Sequence, residues 1–265
     1  MENVSNPVLD HIYCNELNLS IKSFSDNSIS ISKIGTQEEY SCQLKYPAQL
    51  LCTNPKISPL QLLCWTLDSK LILLSFDKGY DCTPLILFEE TVDEEVCSIV
   101  FTKSHKHSIF VLGSKNKLLL LSSKNQKSWS LTHVSTVHSS IVGVAKLDDL
   151  TLLVGGSEGT ISKWSFVETE FMPKMTAKLF IEEGLKKLQI SEKIFNSQNL
   201  ALLFDNKLIY CDILEDELKE IDTIELEKAE DIAINATGDQ ILVYADDKYS
   251  LYRRVADSLQ LVSSE

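Results

Sequence analysis

An all-β fold assembled from a repeated unit is what this sequence predicts, and two observations carry the prediction. The first is element length. Runs of β-branched and aliphatic residues recur at Leu71–Phe76, Ile109–Gly113, Lys117–Leu121, Leu150–Gly155, Leu200–Phe204, Lys207–Cys211, Gln240–Ala245 and Lys248–Tyr252. Each is bounded by Asp, Asn, Ser, Lys or Gly, and each is too short for a globular helix but right for a strand. The second observation is order. Val96–Phe101 is followed by His107–Gly113, a polar turn, then Lys117–Leu121; Ile141–Ala145 is followed by Leu150–Gly156, a turn, then Thr160–Trp164; Asp231–Asn235 is followed by Gln240–Ala245, a turn, then Lys248–Tyr252. The second strands of successive units begin near 71, 108, 151, 200 and 240, so they are spaced by 37, 43, 49 and 40 residues.

A period near 40 with three or four short strands per unit is the mark of a β-propeller. A lone four-stranded blade exposes two apolar faces, and only packing against further blades covers them. At roughly 40–45 residues per blade, 265 residues hold about six, or seven with one incomplete. Residues 1–265 are thus read as a single propeller domain.

The elements outside the clearest units follow. Leu17–Phe24 and Ser28–Ile34 alternate apolar and polar residues around Ser25-Asp26-Asn27 and read as a hairpin. Pro47, Pro55 and Pro59 break the stretch after it. Residues 8–14 are placed to pair with the last strand, Ser258–Ser263, and close a ring. Residues 212–231 admit two readings. Leu214, Leu218 and Ile221 have helical spacing, whereas Ile221, Thr223 and Ile224 are β-branched, and the blade count requires an outer strand at 218–226. The strand is preferred. Ile181–Leu188 is a second, short helical candidate.

Composition narrows the function classes. The chain carries 38 acidic and 25 basic residues, a net charge of −13, with 44% hydrophobic and 24% charged residues. That balance suits a packed core and disfavours direct nucleic-acid binding, which needs net basic surface. The strongest basic stretch, with Lys103, Lys106, Lys115, Lys117, Lys124 and Lys127, is modest. No apolar run approaches a membrane span, and Met1-Glu-Asn-Val-Ser lacks the features of a secretion signal. The expectation is an intracellular protein, nuclear or cytoplasmic. Seven cysteines, without a Cys-x-x-Cys pair and mostly beside apolar neighbours, read as buried filler in a reducing compartment.

Signatures of chemistry are absent: no nucleophile elbow, no Walker loop, no zinc-protease motif and no dinucleotide fingerprint. Gly155-Gly156-Ser157-Glu158-Gly159 has glycines but no following helix or lysine, and reads as a strand–strand turn. His105 and His107 read as part of a surface turn. The expectation is a protein that is not an enzyme, with no cofactor and no metal.

At 137–166 a family resemblance becomes specific. Val137-His-Ser-Ser-Ile-Val-Gly-Val, then Thr151-Leu-Leu-Val-Gly-Gly-Ser-Glu-Gly-Thr-Ile-Ser-Lys-Trp-Ser, resembles a WD40 repeat. His138 stands where that family has the His of its Gly-His pair, and Trp164 where it has the Trp of its Trp-Asp pair. Val137 replaces the Gly, Ser165 the final Asp, and Glu158 the Asp of the turn between the second and third strands. Leu121 and Tyr252 take the Trp position in other units. The resemblance implies a divergent WD40-like propeller in which His138 and Trp164 are structural positions, working as a protein-interaction scaffold within a multiprotein complex. Two alternatives stay open: a non-catalytic subunit of an RNA- or DNA-processing complex, and a propeller hydrolase with a metal in a central channel.

The main surface feature is acidic. Residues 212–231 hold ten carboxylates against Lys219 and Lys228, a net −8. Glu215, Asp216, Glu217, Glu220, Asp222, Glu225 and Glu227 are the candidate protein-binding face, and charge of this kind steers a partner with a basic surface.

Overall fold

The computed structural model describes residues 6–14, 17–54, 60–77, 83–104, 107–166, 173–192, 198–214 and 217–264. Every extended element among them is a strand, and no helix there is long and apolar enough to cross a membrane. The first sheet comprises β1 (Val8–Cys14), β2 (Leu19–Phe24), β3 (Ser28–Lys33) and β4 (Glu39–Gln43). The second comprises β5 (Ala48–Asn54), β6 (Leu60–Thr66), β7 (Lys70–Phe76) and β8 (Leu85–Thr91). The third has β9 (Val96–Ser104), β10 (His107–Ser114), β11 (Lys117–Ser123) and β12 (Ser130–Ser135). The fourth has β13 (Ile141–Asp148), β14 (Thr151–Gly156), β15 (Thr160–Phe166) and β16 (Pro173–Phe180). The fifth has β17 (Lys187–Ile190), β18 (Asn199–Leu203), β19 (Lys207–Ile213) and β20 (Leu218–Glu225). The sixth has β21 (Ala229–Ile234), β22 (Gln240–Ala245), β23 (Lys248–Val255) and β24 (Ser258–Ser264). In all six, chain neighbours pair in sequence order. Six antiparallel four-stranded sheets in series make the fold a six-bladed β-propeller.

The chain divides into two compact units, the first comprising Met1–Phe101, Lys106–Leu112 and Leu120–Thr132, the second Thr102–His105, Gly113–Leu119 and His133–Glu265. In the first unit, Ile21, Ile29 and Ile31 of the first sheet pack against Leu60, Leu62, Ile72 and Leu74 of the second. In the second unit the fifth sheet is covered on both faces. Leu200, Leu202 and Ile209 face Ala145, Leu153 and Ile161 of the fourth sheet, whereas Ala201, Leu203 and Leu208 face Ile232, Ile241 and Val243 of the sixth. Adjacent residues serve opposite clusters because side chains alternate along a strand. That two-sided burial explains why the middle strands read as unbroken aliphatic runs rather than as alternating ones.

Between the fifth and sixth sheets the packing is reinforced by a polar clasp. Arg254 of β23 forks onto Asp212 of β19 at 2.7 and 3.2 Å, and the Asn199 amide donates to the same carboxylate at 2.5 Å. The Tyr210 hydroxyl donates to the Gly238 carbonyl. Gly238 has φ +78, and a side chain there would run into Asn199.

Three expectations resolve here. Residues 218–225 are strand, not helix: Leu218 turns toward the fourth sheet while Ile221 and Ile224 turn toward the sixth, and a single helical stripe cannot serve both. Ile181–Leu188 is not helical. Its backbone donors are taken elsewhere, Ile181 N–H by the Gly159 carbonyl (2.8 Å), Gly184 N–H by Ser157 (3.0 Å) and Lys186 N–H by Leu203 (2.8 Å), before β17 begins at Lys187. Residues 8–14 do not pair with the last strand. β1 pairs with β2 and β24 with β23, so each terminal sheet is built from one continuous stretch.

Leu202→Ala, at a fully buried position contacting the fourth-sheet cluster, is expected to cost about 2–5 kcal/mol in denaturant unfolding. Leu261→Ala, at a position 58% exposed, is expected to stay within about 0.5 kcal/mol of the parent.

Candidate functional site

In the fourth sheet, a tight turn at Ser157–Gly159 joins β14 to β15, as the glycine-rich stretch predicts. The turn carries Glu158 back over the sheet. There a chain of hydrogen bonds runs through the two positions singled out in sequence. Trp164 Nε1–H donates to Ser162 Oγ at 2.7 Å, Ser162 lies 2.6 Å from His138 Nε2, and His138 Nδ1 lies 2.6 Å from Glu158 Oε1. With the imidazole proton on Nδ1, every hydrogen in the chain points toward the carboxylate. Thr160 adds a donor to Oε1 at 2.7 Å, and Ser139 one to Oε2 at 3.2 Å. His138 and Trp164 are buried, so the chain sits where an unpaired polar group is costly.

Glu158, standing where the resembled repeat has Asp, therefore completes the network rather than breaking it. Burial opposes its ionisation, but the hydrogen bonds from Thr160 and His138 outweigh burial and hold its carboxyl at about 2. Gly156 makes room for this arrangement, because a side chain there would strike both His138 and the Glu158 carboxylate. Nε2 of His138 faces a serine hydroxyl, as a general base would, but His138 is 2% exposed and Ser162 is fully buried, so the pair is closed to a substrate.

The acidic candidates do not form one face. Glu215 and Asp216 lie outside the described residues. Asp222 is structural: one oxygen accepts the Leu259 backbone N–H of β24 at 2.6 Å and the other that of Thr223 at 2.8 Å. Glu220 pairs across from Cys211, on the side of β20 that faces the fourth sheet, and accepts the Thr223 hydroxyl at 2.9 Å. Glu217 precedes the strand on the same side and is exposed, whereas Glu225 and Glu227 sit at the far end of β20, ~25 Å of extended chain away. Among the described residues no cation lies within ion-pair distance of Glu217, Glu220, Glu225 or Glu227. Elsewhere in the stretch, Asp212 is held by Arg254 and Asp231 by Lys187.

Beside Glu217 lies a feature the sequence did not announce. Where the outer edges of the fourth and fifth sheets part, an apolar groove opens, floored by Leu153 and Ile161 and walled by Leu179 of β16 and by Ile213, Leu214 and Leu218 of the β19–β20 hairpin. The Leu214 N–H donates to the Glu217 carbonyl at 2.9 Å, which fixes both residues at the groove mouth. Leu214 is 42% exposed and Leu179 36%. Sequence reasoning missed the groove because its walls come from three separated segments. The one local sign was an apolar residue, Leu214, standing beside the charged turn.

The Cys42, Cys64 and Cys211 thiols are unsuited to nucleophilic work. Burial pushes Cys42 up to about 11 and Cys211 to about 12, and drives Cys64 well above its ordinary value. Cys14, Cys64 and Cys211 are buried as expected, Cys97 is exposed, and Cys82 lies outside the described residues. His105 also lies outside them, and His107 opens β10. Among the described residues, no group of three or more His, Cys, Asp or Glu is placed to hold a metal ion.

No protein-family model matches the sequence, and no curated protein matches it. Among solved structures, the chain is similar to a functionally unknown protein from Desulfotomaculum acetoxidans DSM 771, with a TM-score of 0.63 and 13% identity over 90% of this chain and 76% of that one. At that identity the likeness is one of fold.

Ser162→Ala leaves the Trp164 donor and the His138 Nε2 acceptor unmatched, and is expected to cost about 1–3 kcal/mol by denaturant unfolding. The acid limb tests Glu158. Its folded carboxyl titrates at about 2 against 4.5 for the ordinary group, so its stabilisation is complete above 4.5 and is lost as pH falls toward 2. Glu158→Gln is expected to flatten that part of a melting-temperature-against-pH curve. Asp222→Ala is expected to lower the melting temperature, whereas Glu220→Ala leaves it close to the parent.

Proposed function

We propose that this chain is a divergent WD40-like propeller that acts as a protein-interaction scaffold within a multiprotein complex, and that it is not an enzyme. The WD40-like part rests on the Trp164–Ser162–His138–Glu158 chain of hydrogen bonds, which joins the two positions that carry the sequence resemblance. The polar groups best suited to chemistry are used in holding the fold: His138 and Ser162 are buried inside the chain of hydrogen bonds, and burial pushes the Cys64 and Cys211 thiols far from ionisation.

One observation carries the binding role. An apolar groove with exposed leucines stands next to carboxylates that no cation of the described chain neutralises. A soluble edge gains nothing from exposed leucines beside charge, whereas a docking surface uses both, the apolar part for affinity and the charge for steering. The partner class is therefore a protein with basic surface, and the net charge of −13 weighs against direct contact with nucleic acid.

Affinity purification of the intact chain from its source at low salt, followed by mass spectrometry, tests the reading. A stoichiometric protein partner, released as salt is raised, is the expected result. A chain that emerges alone would overturn the scaffold reading and direct attention to hydrolase substrates.

A further inference from the structure

The groove between the outer edges of the fourth and fifth sheets defines its occupant more closely than a general basic surface. Its lining is aliphatic apart from two charged residues, Glu217 on the hairpin wall and Lys163 on the fourth-sheet wall. Glu220 lies on the same side of β20 as Glu217, opposite Cys211. The negative charge is thus concentrated on the hairpin wall, directly beside the exposed side chain of Leu214.

Resting on the scaffold reading, we infer that this groove holds a short segment of a partner protein, one leucine-sized side chain seated against Leu179, Leu214 and Leu218, with a lysine or arginine flanking it on Glu217 and Glu220. The positive flank of the segment lies toward the hairpin, where the carboxylates stand. A second copy of this chain is the poorer occupant, because a surface drawn from a chain of net charge −13 brings carboxylates to carboxylates. The groove is bounded by a strand on one side and a hairpin turn on the other, so it admits a side chain from an extended segment rather than the face of a folded domain. A backbone hydrogen bond joins Leu214 to Glu217, so the anchor and charge sites are neighbours on one hairpin.

The test uses the full-length chain and a fluorescein-labelled peptide, Gly-Lys-Arg-Ser-Leu-Ser-Arg-Lys-Gly, followed by fluorescence anisotropy. Two control peptides accompany it, one with the central leucine replaced by alanine and one with every basic residue replaced by glutamate. The expected result is saturable binding of the parent peptide that weakens about tenfold or more for either control. Leu214→Asp and the double variant Glu217→Lys, Glu220→Lys alter exposed positions and are expected to weaken binding by the same order, with melting temperatures close to the parent. Added salt is expected to weaken the parent peptide but not a leucine peptide without charges.

Absence of saturable binding, or binding that both variants retain in full, overturns the inference. So does a concentration-dependent dimer in sedimentation that Leu214→Asp dissolves, since it assigns the groove to a second copy. The same variants in the affinity purification separate the two readings. A stoichiometric partner retained by Leu214→Asp ends the groove assignment and leaves the scaffold standing, whereas loss of every partner from the parent chain ends the scaffold itself.

Discussion

The structure depends on burying β-sheets from both sides. A four-stranded sheet presents two faces, and in the fifth sheet both are covered: Leu202 works for one neighbour and Leu203 for the other. Hydrophobic burial scales with area removed from water, so a sheet covered on both sides gains twice from each strand. The same requirement favours aliphatic side chains in the second strands and leaves most of the charge to the other strands and the turns. β14 and β18 are buried along their whole length, while β16 is exposed along most of its own.

Polar groups inside such a fold fall into two kinds. Some are saturated, and those hold sheets and turns together. His138 spends both nitrogens, Asp222 both oxygens, and Asp212 accepts from an arginine and an amide at once. Among the described residues, no buried side-chain nitrogen or oxygen lacks a partner. Others are unspent, and they gather at an edge where leucines are also unspent. The contrast between Asp222 and Glu217, five residues apart in one acidic run, is the clearest case. Asp222, inside β20, clamps the next sheet, whereas Glu217, just before the strand, stands at the mouth of a groove.

Much of this was legible in the sequence. Strand lengths, the recurring order of strands and the period near 40 specified repeated four-stranded units, because two-sided burial writes itself as aliphatic runs. The β-branched residues Ile221, Thr223 and Ile224 marked β20 correctly against a helical spacing. At Ile181–Leu188 composition misled, because the backbone donors there are claimed by the Ser157–Gly159 turn and by β18, contacts that local propensity does not encode. Glu158 in place of Asp looked like a loss in sequence, yet its longer arm still reaches His138. The acidic run was visible as charge, but its division between the two faces of β20 follows from register. The groove could not be read at all: Ile161, Leu179 and Leu214 meet only through the packing of two sheets.

Each of the six sheets is made from one uninterrupted stretch of chain, the first and last included. Every strand pairs with its predecessor or successor, so hairpin contacts are short in sequence, and loop closure for each is cheap. A growing polypeptide can therefore lay down its strands in the order of synthesis, with no early strand left waiting, edge exposed, for a late one to emerge from the ribosome. What such a nascent chain does expose is the uncovered face of its newest sheet, and that face, not an unmatched terminal strand, is the point of vulnerability to aggregation during translation.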